Sequence, residues 1–145
     1  MSSANDELSK QVAAWITQDP DMKTRDQLVE LLTAHQSGEN ESSAQLSNLF
    51  SGRLAFGTAG IRGPIRPGPG GMNRVVIGQT TAGLARYLLG NRDSSASHRL
   101  LVVVGCDART NSDVFASDTA TILSGHGIDV VQLPNALPTP VLAFA

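Results

Sequence analysis

From residue 6 to residue 50 the apolar positions recur at helical spacing; beyond residue 99 they gather into unbroken runs. Leu8, Val12, Trp15 and Ile16 share one face of a helix. Asp19-Pro20-Asp21 ends it, because proline lacks an N–H and restricts the residue before it. Thr24, with Gln27 three residues on, predicts a capping box for a second helix, whose apolar face is Leu28, Leu31 and Leu32. Gly38-Glu39-Asn40-Glu41 reads as a linker, and a short third helix carries Leu46, Leu49 and Phe50. Trp15 is a packing anchor for this layer rather than a platform for a ligand.

After Gly52 the pattern changes. Leu54–Phe56 and Ile61–Ile65 read as short strands flanking a glycine-rich loop, with Pro64 and Pro67 confining them to an edge or to turns. Asn73 is an N-cap. The helix it starts has Val76, Ile77, Thr80, Leu84, Tyr87 and Leu88 on its apolar face and stops at Gly90. Asn91 to His98 is a polar loop. Arg99–Gly105 is a continuous apolar run with β-branched Val102, Val103 and Val104, the signature of a strand covered on both faces. Ser112 caps the next helix, with Phe115, Ile122 and Leu123 inward and Gly125 at its end. Ile128–Leu133 is another strand; Pro134 and Pro138-Thr139-Pro140 follow, and an apolar segment begins at Val141. This order predicts a right-handed α/β layering behind a helical N-terminal part, broken off mid-element.

Composition narrows the functional classes. The chain has 145 residues, 41% hydrophobic and 17% charged, which suits one soluble domain. A formal net charge of −2 with scattered Lys and Arg gives no nucleic-acid footprint. No apolar run approaches the roughly 20 residues of a membrane span. The polar, acidic N-terminus is not a signal peptide. The single Cys106 cannot form an internal disulfide, which fits a cytoplasmic setting.

The chemistry concentrates in Gly52–Gly63. Four glycines, the Thr58 hydroxyl and the Arg62 guanidinium suit a loop that meets a phosphate or another oxyanion. The alternative is a tight turn between strands with Arg62 in water. Asp107 and Arg109, in Cys106-Asp107-Ala108-Arg109, follow a strand and belong to the rim where α/β sheets take ligands, as does Pro138-Thr139-Pro140. Each is equally compatible with a surface turn. No Gly-Lys-Ser/Thr follows Gly68-Pro69-Gly70-Gly71, and no dinucleotide fingerprint joins a strand to a helix. His35, His98 and His126 lack metal spacing; His35 and His126 sit near helix ends, and Cys106 reads as a packed thiol.

Phe56-Gly57-Thr58-Ala59-Gly60-Ile61-Arg62-Gly63, then Met72-Asn73-Arg74 and Gln79–Ala85, strongly resembles the α-D-phosphohexomutases, the phosphoglucomutases and phosphomannomutases. Val102–Arg109 and Pro138-Thr139-Pro140 occur in the same order, and Trp15, Asp19-Pro20 and Thr24-Arg25 are similar to the branch with a helical extension. The resemblance implies residues 1–52 as that extension and 53–145 as domain I, a three-layer α/β/α fold with a mixed sheet, truncated before the catalytic serine loop and short of one strand. It implies interconversion of hexose 1-phosphate and hexose 6-phosphate through a phosphoserine and a hexose 1,6-bisphosphate, with Mg²⁺ held by a later domain. Arg62, Thr58 and Gly60 would then bind a phosphate, and Arg109 would support the rim. Cys106 departs from the larger or basic residue common in relatives. No catalytic residue or metal ligand is expected in this chain, so by itself it is expected to be inactive. Its partners would be the hexose phosphate and the remaining domains. The other reading is a truncated, non-catalytic remnant or interaction module that keeps an anion-binding loop. A generic nucleotide-binding domain is disfavoured by the missing fingerprints.

Overall fold

Three helices open the chain in the computed structural model, which describes residues 2–58, 60–92 and 99–144. They are α1 (Ser2–Gln18), α2 (Met22–Gln36) and α3 (Asn40–Phe50). The expected polar loop at 93–98, with His98, lies outside the described residues, as does Ala59. Chain contacts divide the molecule into two compact units, Met1–Val76 and Ile77–Ala145.

In the first unit Val12, Trp15, Leu28, Leu46, Val75 and Val76 form a buried cluster, against which Leu8, Leu31, Leu32, Leu49 and Phe50 pack. Full burial of each Val or Leu stabilises by about 1.5–3 kcal/mol. Trp15 is the anchor expected: its ring meets Phe50 edge-on at 5.9 Å between centroids. The cap of α2 differs from the expected capping box. Asp21 is the N-cap and accepts from the Lys23 N–H. Thr24 lies inside the first turn and donates its hydroxyl to Asp19 Oδ2 at 2.8 Å. The buried Asp19 carboxylate also takes the Asp21 N–H at 3.0 Å. The Asp-Pro-Asp turn is therefore closed by its own acids, which leaves Thr24 no capping work.

The strands flanking the glycine loop are shorter than expected. β1 (Phe56–Gly57) and β2 (Gly60–Ile61) pair antiparallel. Ile65 is outside β2 and forms an isolated bridge with Met72. Pro64 and Pro67 deny the ladder its donors, so pairing stops early.

The helix α4 (Arg74–Gly90) starts where expected, with Asn73 Oδ1 accepting the Val76 N–H at 3.0 Å. Its inward face is the predicted one only in part: Val76 is buried and Leu88 is half-buried against the core around Ala85. Thr81 and Ala85 are buried, while Leu84 and Tyr87 are 46% and 65% exposed. The small side chain of Ala85 permits close packing that hydropathy alone would assign to leucine.

The second unit holds β3 (Leu101–Cys106) and β4 (Asp129–Ala136), paired parallel, with α5 (Ser112–Gly125) as their crossover and the short α6 (Thr139–Ala143) after them. Ala85, Val104, Ala116, Leu123 and Ile128 are its core. Among the described residues, β3 is not covered on both faces: Val104 is buried, but Leu101 is 62% exposed. Each strand has one partner in this pair, so the apolar run is longer than the surface that covers it. The register slips between Val104 and Cys106, beside a β4 stretch containing Pro134, which has no N–H for the ladder. Ser112 is the first residue of α5 rather than its cap; the N-cap is Asn111 in the left-handed region at φ 65°. Phe115 is half-buried and outside the core. Among the described residues, two small sheets and six helices make this an α/β chain of mixed strand sense.

Candidate functional site

Cross-strand pairing of Phe56 with Ile61 and Gly57 with Gly60 turns the chain sharply at the glycine-rich loop. Gly60 sits at φ +85°, where a Cβ would be strained. Thr58 and Arg62 are exposed. With Ala55, Gly57 and Gly60 they line an open concavity of about 310 Å³. Among the described residues, no side chain pairs with Arg62. A hydroxyl donor and an unengaged guanidinium fork thus share one concavity with a backbone that has no bulk at Gly60. That donor set matches a phosphate monoester.

The concavity rests on a frame that the sequence reading did not identify. The Leu54 N–H donates to Pro69 O at 3.1 Å, and the Met72 N–H donates to Pro64 O at 2.8 Å. The first bond ties the start of the loop into the 66–71 turn, and the second joins its far end to the residue just after that turn. Gly68 has φ +83°, and a Cβ there would lie 2.7 Å from Leu49 O. The Pro-Gly stretch is thus packed against the end of α3, and Arg66 Nη1 donates to Asn48 Oδ1 at 3.0 Å. The buried Asn73 amide donates to Arg66 O at 2.9 Å, Gly68 O at 2.8 Å and Gly71 O at 3.2 Å. The available signal was an Asn beside a run of Pro and Gly whose carbonyls have no ladder to join.

In the second unit, the turn after β3 and the loop before α6 converge. Cys106, Asp107, Ser112 and Thr139 line a cavity of about 130 Å³, with Leu133 and Leu142 beneath. Asp107 accepts the Arg109 N–H at 3.0 Å, and its own N–H donates to Ser112 Oγ at 3.1 Å. The Arg109 N–H holds the Asp107 carboxyl below the usual carboxylate range, with the Ser112 hydroxyl and the Arg109 guanidinium acting in the same direction. Arg109 does not line this cavity. Its side chain is 89% exposed, with Nε 3.4 Å from Asp107 Oδ2. It orders the turn from outside.

Thr58, Gly60 and Arg62 therefore come together, whereas Arg109 belongs to the second unit. His35 is buried with Nδ1 2.7 Å from Ser43 Oγ, and His126 Nδ1 lies 2.8 Å from Ile122 O, so both have structural bonds. Cys106 packs half-buried against the second core. Among the described residues, no group of three or more His, Cys, Asp or Glu could hold a metal. Among them also, no helix is long and apolar enough to cross a membrane.

Residues 53–145 match the profile of the phosphoglucomutase/phosphomannomutase alpha/beta/alpha domain I. Among curated relatives, the chain is 53% identical over 75 residues to a probable phosphomannomutase of Haemophilus influenzae, covering 52% of the chain and 14% of that protein. It is 33% identical over 138 residues to a probable phosphoribomutase of Schizosaccharomyces pombe, covering 95% and 22%. It is 35% identical over 107 residues to a phosphoglucomutase of Staphylococcus saprophyticus, covering 74% and 18%. The matched regions thus span between 14% and 22% of these relatives' own length. No solved structure gives a significant match. With the profile covering residues 53–145 and the glycine loop at its start, the chain belongs to the phosphoglucomutase/phosphomannomutase family, through that family's domain I.

Proposed function

We propose that this chain supplies the substrate-phosphate loop of a cytoplasmic phosphohexomutase, with residues 1–52 as a helical extension and 53–145 as domain I. The observation that carries the reading is the concavity shared by Thr58, Gly60 and an unengaged Arg62 inside the family-matched region. The reaction interconverts sugar 1-phosphate and 6-phosphate. A phosphoserine loses its phosphoryl group to a sugar hydroxyl, giving a hexose 1,6-bisphosphate, and the serine then regains the other phosphate. Arg62 clamps two non-bridging phosphate oxygens, and Thr58 donates a third bond. Gly60 admits the phosphate close to the main chain. Arg109 and Asp107 keep the turn after β3 in shape. By the family resemblance the phosphorylatable serine lies in the remainder of domain I, and the sugar-selecting groups and Mg²⁺ ligands lie in later domains. The relatives named above are a mannose, a ribose and a glucose phosphate mutase by name, and the chemistry they share is a sugar phosphate.

The test is an NMR titration of the labelled chain with inorganic phosphate and with glucose 1,6-bisphosphate. Amide shifts centred on Gly57, Thr58, Gly60 and Arg62 are expected. Arg62→Ala should weaken binding about tenfold or more, as for loss of a charge-assisted bond. An unshifted loop at saturating ligand overturns the reading. Incubated with glucose 1-phosphate, glucose 1,6-bisphosphate and Mg²⁺, the chain alone should form no glucose 6-phosphate. Protein-dependent turnover would contradict the placing of the serine outside residues 1–145.

A further inference from the structure

We propose that Asn73 is the positioning residue of the Arg62 loop, setting the loop's geometry without touching ligand. The inference rests on the phosphate reading for its consequence, but its structural core stands apart from it. Asn73 is 3% exposed, and both ends of its side-chain amide are used. Oδ1 accepts the Val76 N–H at 3.0 Å, the ordinary task of an N-cap. Capping needs only that oxygen, so Asp or Ser would serve equally. Nδ2 does what neither can. It gathers the carbonyls of Arg66, Gly68 and Gly71 at 2.8 to 3.2 Å, closing the 66–71 turn around one amide.

That turn carries one anchor of the functional loop and is flanked by the other. Pro69 O receives the N–H of Leu54, two residues before β1, and Met72 N–H reaches back to Pro64 O, two residues after Arg62. Ile65 bridges Met72 beside it. The strands between these anchors are only two residues each, too short to fix the loop unaided. The orientation of Arg62 is thus set from the end of α4 through Asn73, the turn and the two anchors.

Asn73→Asp separates the roles. It keeps the capping oxygen, removes the donor and sets a carboxylate oxygen against three carbonyls. Asn73→Ser keeps a cap without the added charge, and provides the measurement if the aspartate variant fails to fold. Amide hydrogen exchange in the full chain is read at Leu54, Met72 and Val76. The expected result is exchange about tenfold faster at Leu54 and Met72, with Val76 protected as before. Wild-type protection at Leu54 and Met72 in a folded variant overturns the proposal. Uniformly faster exchange across α1–α3 also overturns it, because that is the response of a merely structural residue. Inorganic phosphate titrated into the same samples should bind the variants about fivefold or more weakly than wild type. Failure of wild type to bind phosphate removes the phosphate reading, whereas the exchange data decide the role of Asn73 in either case.

Discussion

In the first unit Val12, Leu28 and Leu46 have no exposed surface, whereas in the second Leu101 and Val131 keep 62% and 47% of theirs. The helical unit closes its core with chain neighbours: α2 returns on α1 after the Asp-Pro-Asp turn, and α3 follows at once. A parallel strand pair cannot do this, since its backbone and faces need partners from distant sequence. The core of the second unit includes two alanines, Ala85 and Ala116, and among the described residues each of its two strands has one neighbour. Helical closure is thus local, while sheet closure depends on whatever else is present in the molecule.

The largest expected effect tests that difference. Trp15 is the sole tryptophan and Cys106 the sole cysteine, so fluorescence reads the first unit and thiol labelling the second. Leu28→Ala should cost the first unit about 2–5 kcal/mol in a urea melt followed by Trp15, the usual range for a buried Leu truncation. Leu101→Ala should move Cys106 labelling by no more than about 0.5 kcal/mol, as an exposed substitution does. Equal effects would mean that β3 is covered in solution, and the contrast would collapse.

The next effect lies inside the first unit, where the rigid helices support a loop that is nearly unsupported by its own strands. Gly60→Ala forces a Cβ into the left-handed region at φ +85° and should cost about 1–2 kcal/mol. The loss should appear as faster exchange at Phe56 and Ile61 while Trp15 fluorescence is unchanged. A matching shift in the Trp15 transition would show that loop and helices melt as one.

The same contrast decides what the sequence made legible. Leu8, Val12, Trp15 and Leu28 announce their helices because a helix satisfies its backbone within itself, so periodicity is nearly sufficient. The cap of α2 was misplaced because Asp21 and Thr24 are both competent, and the choice depends on Asp19 taking the Thr24 hydroxyl. The face of α4 was read only in part, with Val76 and Leu88 placed rightly and Leu84 and Tyr87 wrongly, because Val75, Val76 and Ile77 are consecutive and any of them could start the stripe. For β3, hydropathy reported the burial its residues suit, while the described residues supply only part of the cover. At the candidate site Thr58, Gly60 and Arg62 were readable as types in a spacing. The triple use of the Asn73 amide was not, because cap preference scores its oxygen and is silent on its nitrogen. The convergence of Asp107 with Thr139 depends on β3 and β4 pairing in parallel, which spacing suggests but cannot position.

The smallest effect concerns the turn after β3, where the open second unit relies on polar bonds instead of burial. Asp107 is ionised below the usual carboxylate range because the Arg109 N–H, the Ser112 hydroxyl and the Arg109 guanidinium favour the anion. A carboxyl depressed in the folded state stabilises fully above its unfolded value and loses that contribution as pH falls through the folded one. Thiol labelling of Cys106 with dithiodipyridine in urea should therefore quicken as pH drops from about 6 to about 3. Asp107→Asn should flatten that dependence, with the wild type more protected at the upper end and the gap between the two proteins narrowing toward the lower. The Trp15 transition should keep the same pH profile in both, because Asp107 belongs to the other unit. If the asparagine variant retained the wild-type slope at Cys106, another acid would hold the turn, and the rim beside Thr139 would owe its shape to Ser112 and the leucines beneath it.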